Sequence, residues 1–340
     1  MSFYVKFSDF KYDSLRIAKL FWQCGYSERA AAIEDCATNL VFGNRKDGSH
    51  DLIFGNFCKD RFCPLCQARR SARRAMELLH VIERLDGEFV FLTLTVPNVD
   101  ASHLRSQIEF MQDQFHYFMK DPRIKKGVVG YIRNLEVTYN KDSHTYHPHY
   151  HVLINVSSRY FVDHSQYLSR SEVLSVWQAY MHDETITQVD IRKVRGKQLD
   201  RAVVETTKYF TKFGDWFNEA DASSVLYTFV NSLKSVNCTT MGGSIRKEIL
   251  QLRKEKKEDL VSFDEKIAQF IQNANSVYES ISSFYFKRSS NLIFWGAYNL
   301  DQVDPKYILK YIESHVFFQR KFQSALYKVY EVQVAERFYS

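Results

Sequence analysis

Two histidines one residue apart, entering a run of branched aliphatic residues, constrain this chain more than any other feature. The stretch is Tyr146-His147-Pro148-His149-Tyr150-His151-Val152-Leu153-Ile154. Val152, Leu153 and Ile154 favour a strand. Side chains alternate along a strand, so His149 and His151 face the same way. Pro148 suits the first residue of such a strand, where its missing N–H costs little. Two neutral imidazoles on one face can hold a divalent cation if a third ligand arrives from nearby. His147 falls on that face too, but it precedes the proline at the strand's mouth. Packed or solvated edge histidines are the bland alternative, and they suit a lone histidine better than a pair at period two.

Residues from about Val128 to Tyr139 read as a second strand by their β-branched and aromatic content. The short polar connection Asn140–Thr145 makes it the hairpin partner of the histidine strand. Glu136 is then the third ligand; the competing reading is an exposed carboxylate paired with Arg133. Further on, Glu205-Thr206-Thr207-Lys208-Tyr209-Phe210-Thr211-Lys212 is predicted on a helix. Glu205 and Tyr209 at i and i+4 would share a face, with Lys208 and Lys212 on the adjacent one. A phenol beside a carboxylate and two ammonium groups suits attack on a phosphodiester. Its unperturbed pKa of about 10 requires a metal or cation nearby.

Phe91-Leu92-Thr93-Leu94-Thr95, His147-Pro148-His149-Tyr150-His151-Val152-Leu153-Ile154 and Glu205-x-x-Lys208-Tyr209-x-x-Lys212 occur in one order. That ordered set resembles the HUH endonucleases, and within them the replication initiators of small bacterial rolling-circle plasmids. The resemblance covers roughly residues 36 to 245. It implies His149 and His151 as metal ligands with Glu136 as the third. It also implies Tyr209 as nucleophile and Glu205 as general base. Beside them, Lys212 and Lys208 would offset charge developing on the phosphoryl oxygens. Mg²⁺ or Mn²⁺ would serve at the metal site.

Six cysteines are present: Cys24, Cys36, Cys58, Cys63, Cys66 and Cys238. Cys63-Pro64-Leu65-Cys66 is a C-x-x-C knuckle with Cys58 five residues upstream. In a reducing compartment this spacing points to zinc rather than disulfides. Four thiolates from Cys36, Cys58, Cys63 and Cys66 would close a structural site, with Cys24 as a substitute for Cys36. Cys238 reads as a small buried hydrophobe. The helix that follows begins with Arg69, Arg70, Arg73 and Arg74. A charge run is usually a solvated face, but beside a zinc knuckle it suits DNA-backbone contact.

The predicted order after this helix is strand (Glu88–Val96), helix to about Lys120, the two hairpin strands, helix (after Ser171 as N-cap), strand (Ile186–Val194) and the tyrosine helix. That order fits an α+β fold, an antiparallel sheet with helices mainly on one face and the other face open to the metal. Residues 1–75 are expected to form an N-terminal region with the zinc module and 76–245 the nuclease-like domain. Residues 246–340 are expected to form a helical C-terminal region that binds DNA or mediates self-association.

A formal charge of +6 over 340 residues permits a polyanionic partner. No secretory signal opens the chain, and no segment approaches the ~20 apolar residues of a membrane span. The expectation is a cytoplasmic protein without a membrane partner. The expected function is metal-dependent nicking and joining of single-stranded and supercoiled origin DNA through a 5′-phosphotyrosine, with host helicase and polymerase as partners. A transposase or relaxase, a non-catalytic zinc-containing DNA-binding protein and a metal hydrolase are the alternatives.

Overall fold

We describe the fold from a computed structural model, which describes residues 7–46, 50–208, 210, 216–217, 220–258, 278–286 and 292–299. The elements in chain order are α1 (Phe7–Gln23), α2 (Ser27–Asp35), β1 (Asn39–Arg45), β2 (His50–Gly55), α3 (Pro64–Ile82), β3 (Glu88–Thr95), α4 (Leu104–Phe118), α5 (Pro122–Lys125), β4 (Val128–Asn140) and β5 (Thr145–Val156). There follow α6 (Arg170–Met181), β6 (Val189–Val194), α7 (Lys197–Thr207), α8 (Ala222–Ser232), β7 (Thr239–Gly242), α9 (Gly243–Glu258), β8 (Tyr278–Phe286) and β9 (Leu292–Asn299). The chain divides into two compact units. One takes in the N-terminal residues to Gln67, except 23–25, together with the residues from Glu255 onward; the other takes in 23–25 and Ala68–Lys254.

The first unit holds an antiparallel sheet of order β2-β1-β8-β9. This corrects the helical reading of the C-terminal region, because Tyr278–Phe286 and Leu292–Asn299 are strands. The physical reason is compositional. These segments are aromatic and β-branched with Glu279 as their one charge, which fits a pleated surface. The rest of the region expected to be helical, residues 300–340, lies outside the described residues.

The second unit is built on an antiparallel sheet of order β6-β3-β5-β4-β7, with the histidine strand β5 at its centre. The hairpin forms as the sequence suggests, with Glu136 opposite His149, Asn134 opposite His151 and Ile132 opposite Leu153. Cross-strand partners share a face, so these residues line one side of the sheet. On that side Leu153, Phe91 and Ile132 pack with Ala75 and Leu78 of α3, Val203 of α7 and Ile249 of α9. On the other side Tyr150 meets Phe115 of α4, ring centroids 5.4 Å apart, and Trp177 of α6 meets Phe118 at 5.5 Å. Helices therefore cover both faces, where the sequence suggested one. Each helix announces an apolar stripe in its own periodicity, but nothing local says which side of the sheet that stripe meets.

β5 begins three residues before Pro148, so the proline lies inside a central strand. The ladder explains how it is tolerated. The Val137 N–H points outward, to the Phe210 carbonyl at 2.7 Å, so Val137 and Pro148 form a non-hydrogen-bonded pair. Pro148 thus turns its nitrogen toward β3, whose ladder with β5 ends one rung earlier, at Thr95 opposite His149. No ladder bond is lost. At the opposite edge Gly243 adopts φ +57 at the β7–α9 junction. A Cβ there would collide with the Val129 carbonyl.

Candidate metal centre and the segment beside it

The hairpin register alone brings Glu136 beside His149 and sets His151 one rung away on the same face. Glu136 is 1% exposed and His149 8%. Glu136 Oε2 lies 3.1 Å from His151 Nε2 and 3.6 Å from His149 Nε2. The reading of Glu136 as an exposed partner of Arg133 fails on alternation. Arg133 points to the other face, its guanidinium 4.3 Å from the Tyr150 ring centroid and 4.9 Å from that of Phe115.

Second contacts orient the imidazoles. His149 Nδ1 donates to the His147 carbonyl at 3.2 Å. A carbonyl only accepts, so Nδ1 carries the proton and the neutral ring presents a bare Nε2 to the carboxylate. Two acceptors facing each other call for a cation between them. His151 Nδ1 lies 3.5 Å from Thr93 Oγ1, and its ring stacks on Phe91, centroids 5.6 Å apart. Burial, then the neighbouring His149, pushes the pKa of His147 down.

One ligand atom from each of Glu136, His149 and His151 lies within 4.8 Å of the others. Two ligands at right angles, each ~2.1 Å from a divalent ion, stand roughly 3.0 Å apart. Two nitrogens and a carboxylate oxygen at these separations fit such an ion.

The thiols of Cys36, Cys58, Cys63 and Cys66 converge as the spacing suggests, likewise within 4.8 Å. Sγ–Sγ separations of 3.5 Å (Cys36–Cys66), 3.6 Å (Cys58–Cys66) and 3.6 Å (Cys36–Cys63) are too long for disulfides. They fit the roughly 3.8 Å edge of a tetrahedron with ~2.3 Å Zn–S bonds. The Lys59 N–H donates to Cys66 Sγ at 3.2 Å and the Cys58 N–H to Cys36 Sγ at 3.5 Å, bonds that favour thiolates. The ammonium of Lys11, which is 1% exposed, donates to the Cys36 carbonyl at 2.7 Å. Cys24 is not in the cluster; its thiol donates to the Ser223 carbonyl at 3.2 Å.

The tyrosine segment departs from expectation. α7 ends at Thr207, and Lys208 is already extended with φ −59 and ψ 177. Thr206 and Thr207 turn their hydroxyls back onto the carbonyls of Ala202 and Val203, the habit of threonines that weakens a helix end. The i,i+4 relation between Glu205 and Tyr209 on one helix is therefore corrected, since the helix stops between them. Glu205 forms an ion pair with Lys208. Tyr209 and Lys212 lie outside the described residues. Their described neighbours run along the outer edge of β4: Asn134 Nδ2 donates to the Lys208 carbonyl at 3.3 Å, and Val137 N–H to the Phe210 carbonyl at 2.7 Å. These contacts bracket Glu136 along the strand.

On α3, Arg69 and Arg73 are exposed, the latter 3.6 Å from Glu77, and Arg70 is half-buried. Arg74 differs, its guanidinium donating to Thr239 Oγ1 at 3.1 Å. Asn134 and Thr239 escaped the sequence reading. The hairpin register was the available signal for Asn134, since pairing Glu136 with His149 sets Asn134 opposite His151.

A family model described as a replication protein matches residues 50–289. A protein described as "Protein rep" from Streptococcus pneumoniae serotype 2 (strain D39 / NCTC 7466) is 37% identical over 205 residues, 58% of this chain and 64% of that protein. A "Protein rep" from Staphylococcus aureus is 36% identical over 189 residues, 54% of this chain and 82% of that one. A "Protein rep" from Lactiplantibacillus plantarum is 30% identical over 251 residues, 69% of this chain and 78% of that one. The chain thus spans slightly less than two thirds of the first of these relatives. No solved structure matches. No helix among the described residues is long and apolar enough to cross a membrane.

Proposed function

The chain belongs to the replication protein family, and from that premise we propose that it initiates plasmid replication by nicking and rejoining one strand of origin DNA through Tyr209. The observation that carries this reading is the convergence of Glu136, His149 and His151 beside the strand edge to which Lys208 and Phe210 are tied. A divalent ion there, Mg²⁺ or Mn²⁺, supplies Lewis-acid polarisation of the scissile phosphate when bound.

The protein's own groups do the rest. Tyr209 Oη attacks phosphorus in line, the bond to O3′ breaks, and the strand leaves with a 3′-hydroxyl after taking up a proton. The 5′-phosphate stays on the tyrosine. Glu205, oriented by its Lys208 ion pair, accepts the phenol proton. In a terminating step it would deprotonate a water instead. Lys208 and Lys212 offset charge on the phosphoryl oxygens. Arg69, Arg70 and Arg73 contact the DNA backbone. Zinc on Cys36, Cys58, Cys63 and Cys66 is structural. A polymerase extends the freed hydroxyl, and a helicase and further copies of the chain are the remaining partners.

The test is nicking of a supercoiled origin plasmid with Mn²⁺. Wild type relaxes it to the open-circular form. His149→Ala binds the DNA and leaves it supercoiled. Relaxation by His149→Ala at the wild-type rate would remove the metal centre from the reaction.

A further inference from the structure

We infer that Arg74, Thr239 and Asn134 form a positioning relay that fixes the backbone entering Tyr209. The inference rests on the reading of Tyr209 as nucleophile. Arg74 Nη1 donates to Thr239 Oγ1 at 3.1 Å, Thr239 Oγ1 donates to Asn134 Oδ1 at 3.0 Å, and Asn134 Nδ2 donates to the Lys208 carbonyl at 3.3 Å. Asn134 is 1% exposed and Thr239 8%. Asn134 is the cross-strand partner of both Thr239 and the metal-ligand candidate His151.

The direction of this chain is set at its far end. A guanidinium only donates, so Thr239 must accept from it and spend its own proton on Asn134. Asn134 must then turn its oxygen to Thr239 and its amide N–H toward Lys208. Each bond polarises the next. The relay has a task because α7 stops at Thr207. Past that residue the described Lys208 and Phe210 are held through their carbonyls, by Asn134 Nδ2 and the Val137 N–H. Arg74, expected from the sequence to touch DNA, is given an inward role here. Arg74, Thr239 and Asn134 are positioning residues, since none touches the reacting atoms.

Thr239→Val keeps the volume and removes the hydroxyl; Thr239→Ser keeps the hydroxyl. Covalent adduct formation on a single-stranded origin oligonucleotide with Mn²⁺ is measured for both, with DNA affinity measured in EDTA. Thr239→Val should lose at least about tenfold in kcat, ~1.4 kcal/mol of barrier, with KM and DNA affinity unchanged. Thr239→Ser should retain the wild-type rate. Amide hydrogen exchange over residues 205–212 should rise in Thr239→Val alone. A wild-type rate in Thr239→Val, or no rescue by serine, overturns the relay. If wild type itself forms no adduct, the nucleophile assignment fails. The exchange data then decide whether the relay holds this segment.

Discussion

Glu136 and His149 face each other across two antiparallel strands, the carboxylate oxygen 3.6 Å from an imidazole nitrogen that carries no proton in its neutral form. Both are buried. A carboxylate and a lone pair brought this close in low dielectric repel unless a positive charge joins them. The site is thus poised for a cation by the pairing of the hairpin itself.

Removing the carboxylate should therefore be felt as lost metal affinity. Glu136→Gln is expected to weaken Mn²⁺ binding by at least about 100-fold, the upper end of what loss of a mere outer partner costs. Titration calorimetry on the apo protein measures it. Equal affinity in the variant would show that the ion binds elsewhere.

The cysteine cluster should carry about one zinc per chain. Metal analysis of purified protein checks this, and Cys63→Ser should lower both zinc content and melting temperature. Cys24→Ser separates the two sequence readings of the fourth ligand. It should leave zinc content unchanged, because the Cys24 thiol is engaged with the Ser223 carbonyl.

Much of this centre was legible in the sequence because its geometry is local. Two histidines at period two and a short polar turn determine the register that sets Glu136 beside them. The cysteine knuckle was legible for the same reason. What failed was non-local. Whether α3, α7 and α9 cover the histidine face depends on packing partners far away in sequence. The pairing of β1 with β8 joins segments more than two hundred residues apart, so Tyr278–Phe286 gave no sign of its partner. The end of α7 was missed because Thr206 and Thr207 look tolerable in a helix until their hydroxyls bond backward.

Leu153 is fully buried in the core beneath α3, α7 and α9. Leu153→Ala should cost about 2–5 kcal/mol of stability, transfer and cavity terms together. Denaturant unfolding monitored by circular dichroism reads this out. A loss below about 0.5 kcal/mol would contradict the two-faced packing of the sheet.

Acid sensitivity should trace partly to Asp121, which caps α5 and is held down to about 2 by Arg123, whose side chain donates to it at 2.7 and 3.0 Å. A carboxyl lowered in the folded state lends stability above its ordinary range near pH 4, and that stability is lost as pH falls toward 2. The melting-temperature gap between wild type and Asp121→Asn should close over that window. A gap that stays constant there would sever the link to this carboxylate.

The account turns on a phenol becoming covalently joined to DNA at a metal centre held by one β-strand and its hairpin neighbour. The most direct measurement is mass spectrometry of peptides from protein incubated with a single-stranded origin oligonucleotide and Mn²⁺. A nucleotide adduct on Tyr209, absent in Tyr209→Phe and in His149→Ala, is the predicted result. An adduct on another residue, or one that persists in Tyr209→Phe, would contradict it.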